Sequence, residues 1–253
     1  MELYKLTLAS ILSRKTFAIF AFLILSLPFA LPLMTPWESK PSLLEPARAQ
    51  MAWTLLWTSA IGWLFFQGAT IGDRWASHGI LEYFKTLGVS RWRQMGQLWL
   101  SCFTVFAGMM VITFLISTFT AMPGNEVEAR HWVVTNLQYA LLFLLVVAPL
   151  LALSIALGTR FNGAAAYAVT IGLALYGLFG IGFLEVFLAD NDNVFLNLLY
   201  LISPHYHLSD LTSRLVFKLG AIEWAELGRI ASYLGGLALF TIGLSYQFFR
   251  EGK

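Results

Sequence analysis

Apolar side chains dominate six stretches of the chain, residues 17–34, 52–71, 96–119, 135–157, 163–187 and 230–249. Crossing about 30 Å of hydrocarbon takes roughly 20 helical residues, and a backbone in lipid must satisfy its own hydrogen bonds, as an α-helix does. A membrane barrel would show alternation with a period of two instead. The pattern predicts an all-α, polytopic membrane protein with six transmembrane helices in a single domain over residues 1–253.

Outside the six stretches the pattern turns amphipathic. Near the N-terminus Tyr4, Leu8, Ile11 and Leu12 share a helical face away from Glu2 and Lys5, which predicts an interfacial helix over residues 1–16. Residues 72–95 form the longest loop on their side, and Ile80, Phe84 and Leu87 recur in it at helical spacing with Glu82 and Lys85 turned elsewhere. Gly88 is expected to end that short helix. Residues 188–229 make the long segment on the opposite side. Residues 194–202 are apolar but too short to cross, so a re-entrant or interfacial helix is expected there. Ser203 and Pro204 then suit the start of another helix, with Leu208, Leu211, Leu215 and Leu219 on one stripe and Asp210, Arg214 and Lys218 on another, spaced for ion pairing.

Charge gives the direction. Lys5, Arg14, Lys15, Arg74, Lys85, Arg91, Arg93, Arg160, Arg250 and Lys253 fall on the side of the N-terminus, ten of the 16 basic residues; Lys40, Arg48, Arg130, Arg214, Lys218 and Arg229 fall on the other. Acidic residues such as Glu38, Glu45, Asp192 and Glu223 lean the opposite way. The positive-inside rule then places both termini in the cytoplasm. Ala47-Arg48-Ala49 imitates a signal-peptidase site but lies well beyond the first apolar run, so that run is expected to stay as a span.

Composition agrees, at 58% hydrophobic residues, 12% charged and a mean hydropathy of +0.71. A net charge of +2 and a pI near 8.7 are too mild to indicate nucleic acid, and Cys102 alone allows no intrachain disulfide. Trp53, Trp57, Trp99, Trp132 and Tyr139 fall near span ends and are expected at the interface. Gln67 and Gln138 are expected to join helices by hydrogen bonds. Gly68 and Gly72 in the second span, and Ala164, Ala168 and Gly172 in the fifth, have the spacing that lets helix backbones approach.

The chemistry-bearing motifs are few. The chain contains no Gly-x-x-x-x-Gly-Lys-Ser/Thr, no His-Glu-x-x-His and no Gly-x-Ser-x-Gly, so no nucleotide-phosphate loop, zinc-protease site or serine nucleophile is expected. Ionisable groups avoid the span centres, which argues against a proton-coupled carrier; Glu185, near the outer end of the fifth span, reads as an interfacial carboxylate. His205 and His207 flank Tyr206, but two imidazoles without further ligands read better as part of a helix start than as a metal site.

The run Gly79-Ile80-Leu81-Glu82-Tyr83-Phe84-Lys85-Thr86-Leu87-Gly88-Val89-Ser90-Arg91 resembles the inner-loop pattern of type-2 ABC transporter permeases: a glycine, a short apolar helix and a Pro-x-Ser-Arg-like ending. Here Gly88 stands where proline is usual, and Asp73 is out of line with the acidic residue that often precedes the glycine. The likeness extends over the whole span arrangement. Ser203-Pro204-His205-Tyr206-His207-Leu208-Ser209-Asp210 is similar to the permease group associated with copper-enzyme maturation and gliding. The resemblance implies the membrane subunit of an ATP-driven exporter in a bacterial inner membrane. It also implies a second permease subunit and a separate cytoplasmic ATPase that carries ATP and Mg, with no cofactor or catalytic residue in this chain. Gly79, Glu82, Phe84, Lys85, Leu87 and Arg91 would couple to that ATPase, and substrate contacts would come from the first, second and fifth spans. A different class of function also suits the sequence, a membrane anchor for an ATPase or an envelope complex that moves no substrate.

Overall fold

The computed structural model describes residues 2–34, 41–190 and 193–251. Glu38, Lys40, Asp192 and Lys253, which entered the charge comparison, lie outside them. All regular structure among the described residues is helical. Five helices are long and apolar enough to cross a membrane, Lys15–Leu33, Arg91–Thr120, Glu126–Arg160, Gly163–Leu188 and Trp224–Phe248, which marks a multi-pass membrane protein.

The stretch expected as a second span is not among the five. It lies within a helical rod over residues 41–77: α3 (Pro41–Ser59), a π-helical turn (Ala60–Leu64) and α4 (Phe65–Ser77). Trp53, Trp57, Ser59, Trp63 and Gln67 make it less apolar than the others, and all five side chains are buried. These side chains turn into the bundle, while Thr54, Thr58, Gly62 and Phe66 leave one face of the rod exposed. The rod runs the length of the bundle. Arg48 donates to Thr120 O at one end (2.6 Å), and at the other Asp73 accepts from Gly163 N (2.8 Å).

The centre of the bundle is α7 (Glu126–Arg160), whose C-terminal half is buried nearly continuously from Val146 to Thr159. Against it lies α4, with Gly72 and Gly158 at the seam: a Cβ added at either would come within 2.2 Å of a backbone carbonyl, Ile155 O and Ala69 O respectively. Ser154 Oγ donates across the same seam to Phe65 O (2.6 Å). The expectation for Gly68 and Gly72 therefore holds. In the fifth span it shifts face, because Ala164, Ala168 and Gly172 of α8 (Gly163–Leu175) are exposed while Gly163, Ala166, Thr170 and Ala174 are buried.

At the N-terminus α1 (Glu2–Leu12) packs along α6 (Arg91–Leu115) through Leu3, Thr7 and Ile11, with Leu8 beside them; Leu12 is exposed, outside the predicted stripe. Next in order, α2 (Lys15–Met34) continues through Pro28 and Pro32. A π-helical turn, Ile116–Thr120, ends α6; a second, Tyr176–Gly180, joins α8 to α9 (Ile181–Asp190). The apolar α10 (Val194–Ile202) is capped by Asn193 and buries none of its side chains. The chain closes with α12 (Trp224–Phe248).

The helix expected after Ser203 does not form as one piece. Ser203 instead follows the end of α10 and donates to Leu199 O (2.6 Å), a 3₁₀ turn covers Tyr206–Ser209, and α11 spans only Thr212–Val216. Asp210 breaks the run because its carboxylate captures the main-chain N–H of Thr212 (3.0 Å), the local competition that makes aspartate a turn residue. The expected pairing of Asp210, Arg214 and Lys218 is absent for the same reason: Arg214 donates to Gly220 O, and Lys218 pairs with Glu128 of α7 at 2.8 Å.

Four of the five aromatic residues expected at the interface sit inside the bundle. Trp53, Trp57, Trp132 and Tyr139 are buried, each with a partner for its polar atom. Trp99 is half-buried and donates to Ala148 O. A buried indole or phenol is stable where its N–H or O–H is satisfied, and here that condition is met.

Candidate functional site

At the bundle end where α4 finishes and α6 begins, a seven-residue helix, α5 (Ile80–Thr86), stands between two left-handed glycines, Gly79 (φ 70°) and Gly88 (φ 78°). A Cβ at either glycine would meet open space, so it is the backbone conformation and not crowding that calls for glycine there. The helix is anchored by Leu81, fully buried, with Ile80 and Phe84 packed beside it. Leu87, expected on the same stripe, is 59% exposed, and Tyr83 is 60% exposed. Thus the apolar face of α5 is divided, one side seated on the bundle and the other open.

The charged residues predicted with α5 turn toward the end of the chain. Lys85 pairs with Glu251 at 3.0 Å. Arg91 reaches α12, where its guanidinium lies 4.8 Å from the Tyr246 ring and donates to the carbonyls of Tyr246, Gln247 and Phe249. Arg160 of α7 donates to Gln247 O and Phe248 O from the other side (3.0 and 2.7 Å). Two guanidiniums on the orphan carbonyls at a helix C-terminus satisfy those groups and complement the helix dipole. Arg91 is therefore a clamp between helices. Glu82 lines, with these groups, a polar cleft of about 400 Å³. Tyr246 and Glu251 were missed by sequence reasoning and Arg160 entered only the charge comparison; the one legible signal was the basic residue that ends α7.

At the other end of the bundle, hydrogen bonds tie the rod, α7 and the loop after α10 together. Trp53 stacks on Tyr139 (4.1 Å between ring centroids) and donates to Asn136 Oδ1 (2.9 Å), which also accepts from Ser117 Oγ (2.5 Å). Trp57 Nε1 donates to Tyr139 Oη (3.0 Å), and Tyr139 Oη donates to Asp210 Oδ1 (2.6 Å). Gln138 holds Ile222 by both main-chain groups, donating to its carbonyl (2.8 Å) and accepting from its N–H (2.7 Å). Gln67, the other predicted helix-joining glutamine, accepts from Arg14. Beside this network a cleft of about 410 Å³ opens between the π-turns of the rod and of α8–α9. Trp57, Ile61, Leu175 and Phe179 line it, with Thr54, Thr58, Thr212 and Asp210 as its polar members.

The loop carrying His205 and His207 seats on the second of those π-turns. Gly177 leaves room for it, since a Cβ there would meet Tyr206 Cδ2 at 2.4 Å and Pro204 O at 2.6 Å. Tyr176 Oη and Ser203 Oγ share a 2.6 Å hydrogen bond, and Tyr200 Oη donates to Glu185 (2.8 Å), which raises the Tyr200 phenol above its ordinary range. Burial pushes Tyr206 up to about 12. The imidazoles of His205 and His207 lie 5.5 Å apart, yet no group of three or more His, Cys, Asp or Glu residues among the described residues can hold a metal ion. Burial and the nearby His205 hold His207 below the usual imidazole range, opposed by Glu185 and by a hydrogen bond with the Gly177 backbone. A base with a depressed folded pKa keeps its stabilising contribution above its unfolded value of about 6.5, and loses it as the pH falls through and below that value. Thermal unfolding in detergent is expected at lower temperature at pH 5.5 than at pH 7.5, and His207→Gln should flatten that difference; an unchanged pH profile in the variant would count against His207.

Five apolar crossing helices and a partly buried rod, with a two-faced helix at one end and an apolar cleft toward the other, define the class: an all-helical multi-pass membrane protein. Comparison with protein-family models, curated proteins and solved structures gives no match.

Proposed function

We propose that the chain is the permease subunit of an ATP-driven exporter, with the rod over residues 41–77 as the second of six spans and both termini in the cytoplasm. The observation that carries this reading is α5: a short helix, rigidly seated through Leu81 and flanked by left-handed glycines, that holds Tyr83 and Leu87 open at the bundle end. Exposed apolar groups beside Lys85 and Arg93, on the side with the greater basic charge, suit a soluble protein partner. The partner in this reading is an ABC ATPase that supplies ATP and Mg, and a second permease subunit completes the transporter.

Force applied to α5 by nucleotide-driven closure of the ATPase would pass directly into α4. Because α4 and α7 touch backbone to backbone, the two would move as one body and carry the motion toward the opposite end. The energy is the difference in ATP affinity between the two states of the assembly.

The test is to co-express the chain with its ATPase and replace Tyr83 or Leu87 with glutamate. Each change removes an apolar anchor worth about 2 kcal/mol when buried at an interface, so the retained ATPase should drop about tenfold or more while membrane insertion is unchanged. Phe84→Glu is a poorer probe because Phe84 packs on the bundle. Equal ATPase recovery in both variants would refute docking at α5. Retained docking without substrate-stimulated ATP hydrolysis in lipid would favour the anchor role over export.

A further inference from the structure

We propose that the cleft between the two π-turns binds a membrane-soluble amphiphile with an apolar chain and a single cationic amine head. Its volume of about 410 Å³ falls in the range of small-molecule sites. Trp57, Ile61, Leu175 and Phe179 supply an apolar wall, and among the described residues Asp210 is the one charged residue that lines it. An exposed carboxylate at the rim of an apolar slot selects for charge of the opposite sign joined to an apolar body.

The carboxylate is held in place before any ligand arrives. Tyr139 Oη (2.6 Å), Thr212 Oγ1 (2.5 Å) and Thr212 N (3.0 Å) all donate to Oδ1, and Tyr139 is itself fixed by Trp57 and Trp53. Among the described residues the hydrogen bonds to Asp210 all go to Oδ1, and neither lysine nor arginine lines the cleft to neutralise the charge. A fixed, unneutralised anion gains more from an incoming cation than one that must first reorganise. The π-turns contribute the width: each inserts a residue into its helix, and Gly62 in the first adds no side chain, a Cβ there meeting nothing within 4 Å.

The experiment uses the full chain in phosphatidylcholine nanodiscs at pH 7.5, with decylamine carrying a photoreactive diazirine on its chain and the matching decanol as uncharged control. Labelled residues are mapped by mass spectrometry. The amine is expected to label residues 54–62 and 175–179 about tenfold more than the alcohol does. Asp210→Asn keeps an oxygen for Tyr139 and Thr212 and should remove that excess without changing labelling by the alcohol. Thr54→Lys brings a competing cation and should do the same, which keeps the test decisive should the Asp210 variant fail to fold. Gly62→Leu should reduce labelling by both probes. Equal labelling by amine and alcohol, or an excess that persists in the folded Asp210 or Thr54 variant, would overturn the proposal. Because the assay contains no ATPase, its failure leaves the reading of α5 intact, and loss of α5 docking leaves the cleft intact.

Discussion

Gly72→Ala and Gly158→Ala are each expected to destabilise the protein by about 3 kcal/mol, the upper part of the range for overpacking. At both positions the added methyl would sit 2.2 Å from a main-chain carbonyl, Ile155 O for Gly72 and Ala69 O for Gly158. A flexible side chain could move aside, whereas a carbonyl inside a helix cannot move without carrying its helix with it. The seam would have to widen, and Ser154 would lose its reach to Phe65 O. Gly68→Ala should be milder, since its nearest neighbours are the side-chain tips of Leu151 and Ile155 at 3.0 and 3.2 Å. Gly108→Ala is the opposite case: a methyl there meets open space, and removing glycine from a helix interior gains up to about 1 kcal/mol. Reversible unfolding in mixed micelles would measure all four. Seam variants as stable as the wild type would mean that α4 and α7 do not touch as described.

Asn136→Ala is expected to cost about 2 kcal/mol, within the range for buried donors left without partners. Fully buried, Asn136 joins three helical segments: Oδ1 accepts from Trp53 of the rod and from Ser117 of the π-turn after α6, and Nδ2 donates to Trp132 O (2.9 Å) within α7. Its removal leaves the Trp53 N–H and the Ser117 hydroxyl unsatisfied in a medium without water. Thr113→Val provides the contrast, because the Thr113 hydroxyl is buried with no partner among the described residues and its removal should change stability by less than about 0.5 kcal/mol. The same micelle unfolding assay reads both; an Asn136 variant no weaker than the Thr113 variant would remove the network from the account of stability.

Legibility in the sequence followed the physics of each element. Five helices are apolar throughout their crossing length, the innermost α7 included, and hydropathy alone located them. The rod over residues 41–77 is enclosed on one face only, where its tryptophans and Gln67 answer to hydrogen-bond partners far along the chain. Such pairings leave no local period. For the same reason Trp53, Trp132 and Tyr139 read as interfacial when they are internal, and the charge stripe of Asp210, Arg214 and Lys218 dissolved into contacts with Tyr139, Gly220 and Glu128. The candidate coupling residues divided likewise. Gly79 and Gly88 mark the ends of α5 through backbone chemistry that is visible locally, while the turn of Lys85 and Arg91 toward Glu251 and α12 is a long-range event.

From its amino acids alone, then, this chain is a helical protein of the bilayer with a basic side and a short glycine-bounded helix ahead of the span that starts at Arg91. Hydrophobicity, helix period and glycine φ preference are properties of neighbouring residues, and no tertiary contact is needed to express them. Tertiary structure alone chose which helix lies innermost, which glycines meet a carbonyl, and where a carboxylate stands at the mouth of an apolar cleft. Those choices depend on residues from distant parts of the chain arriving within 3 Å of one another, and only the folded bundle brings them there.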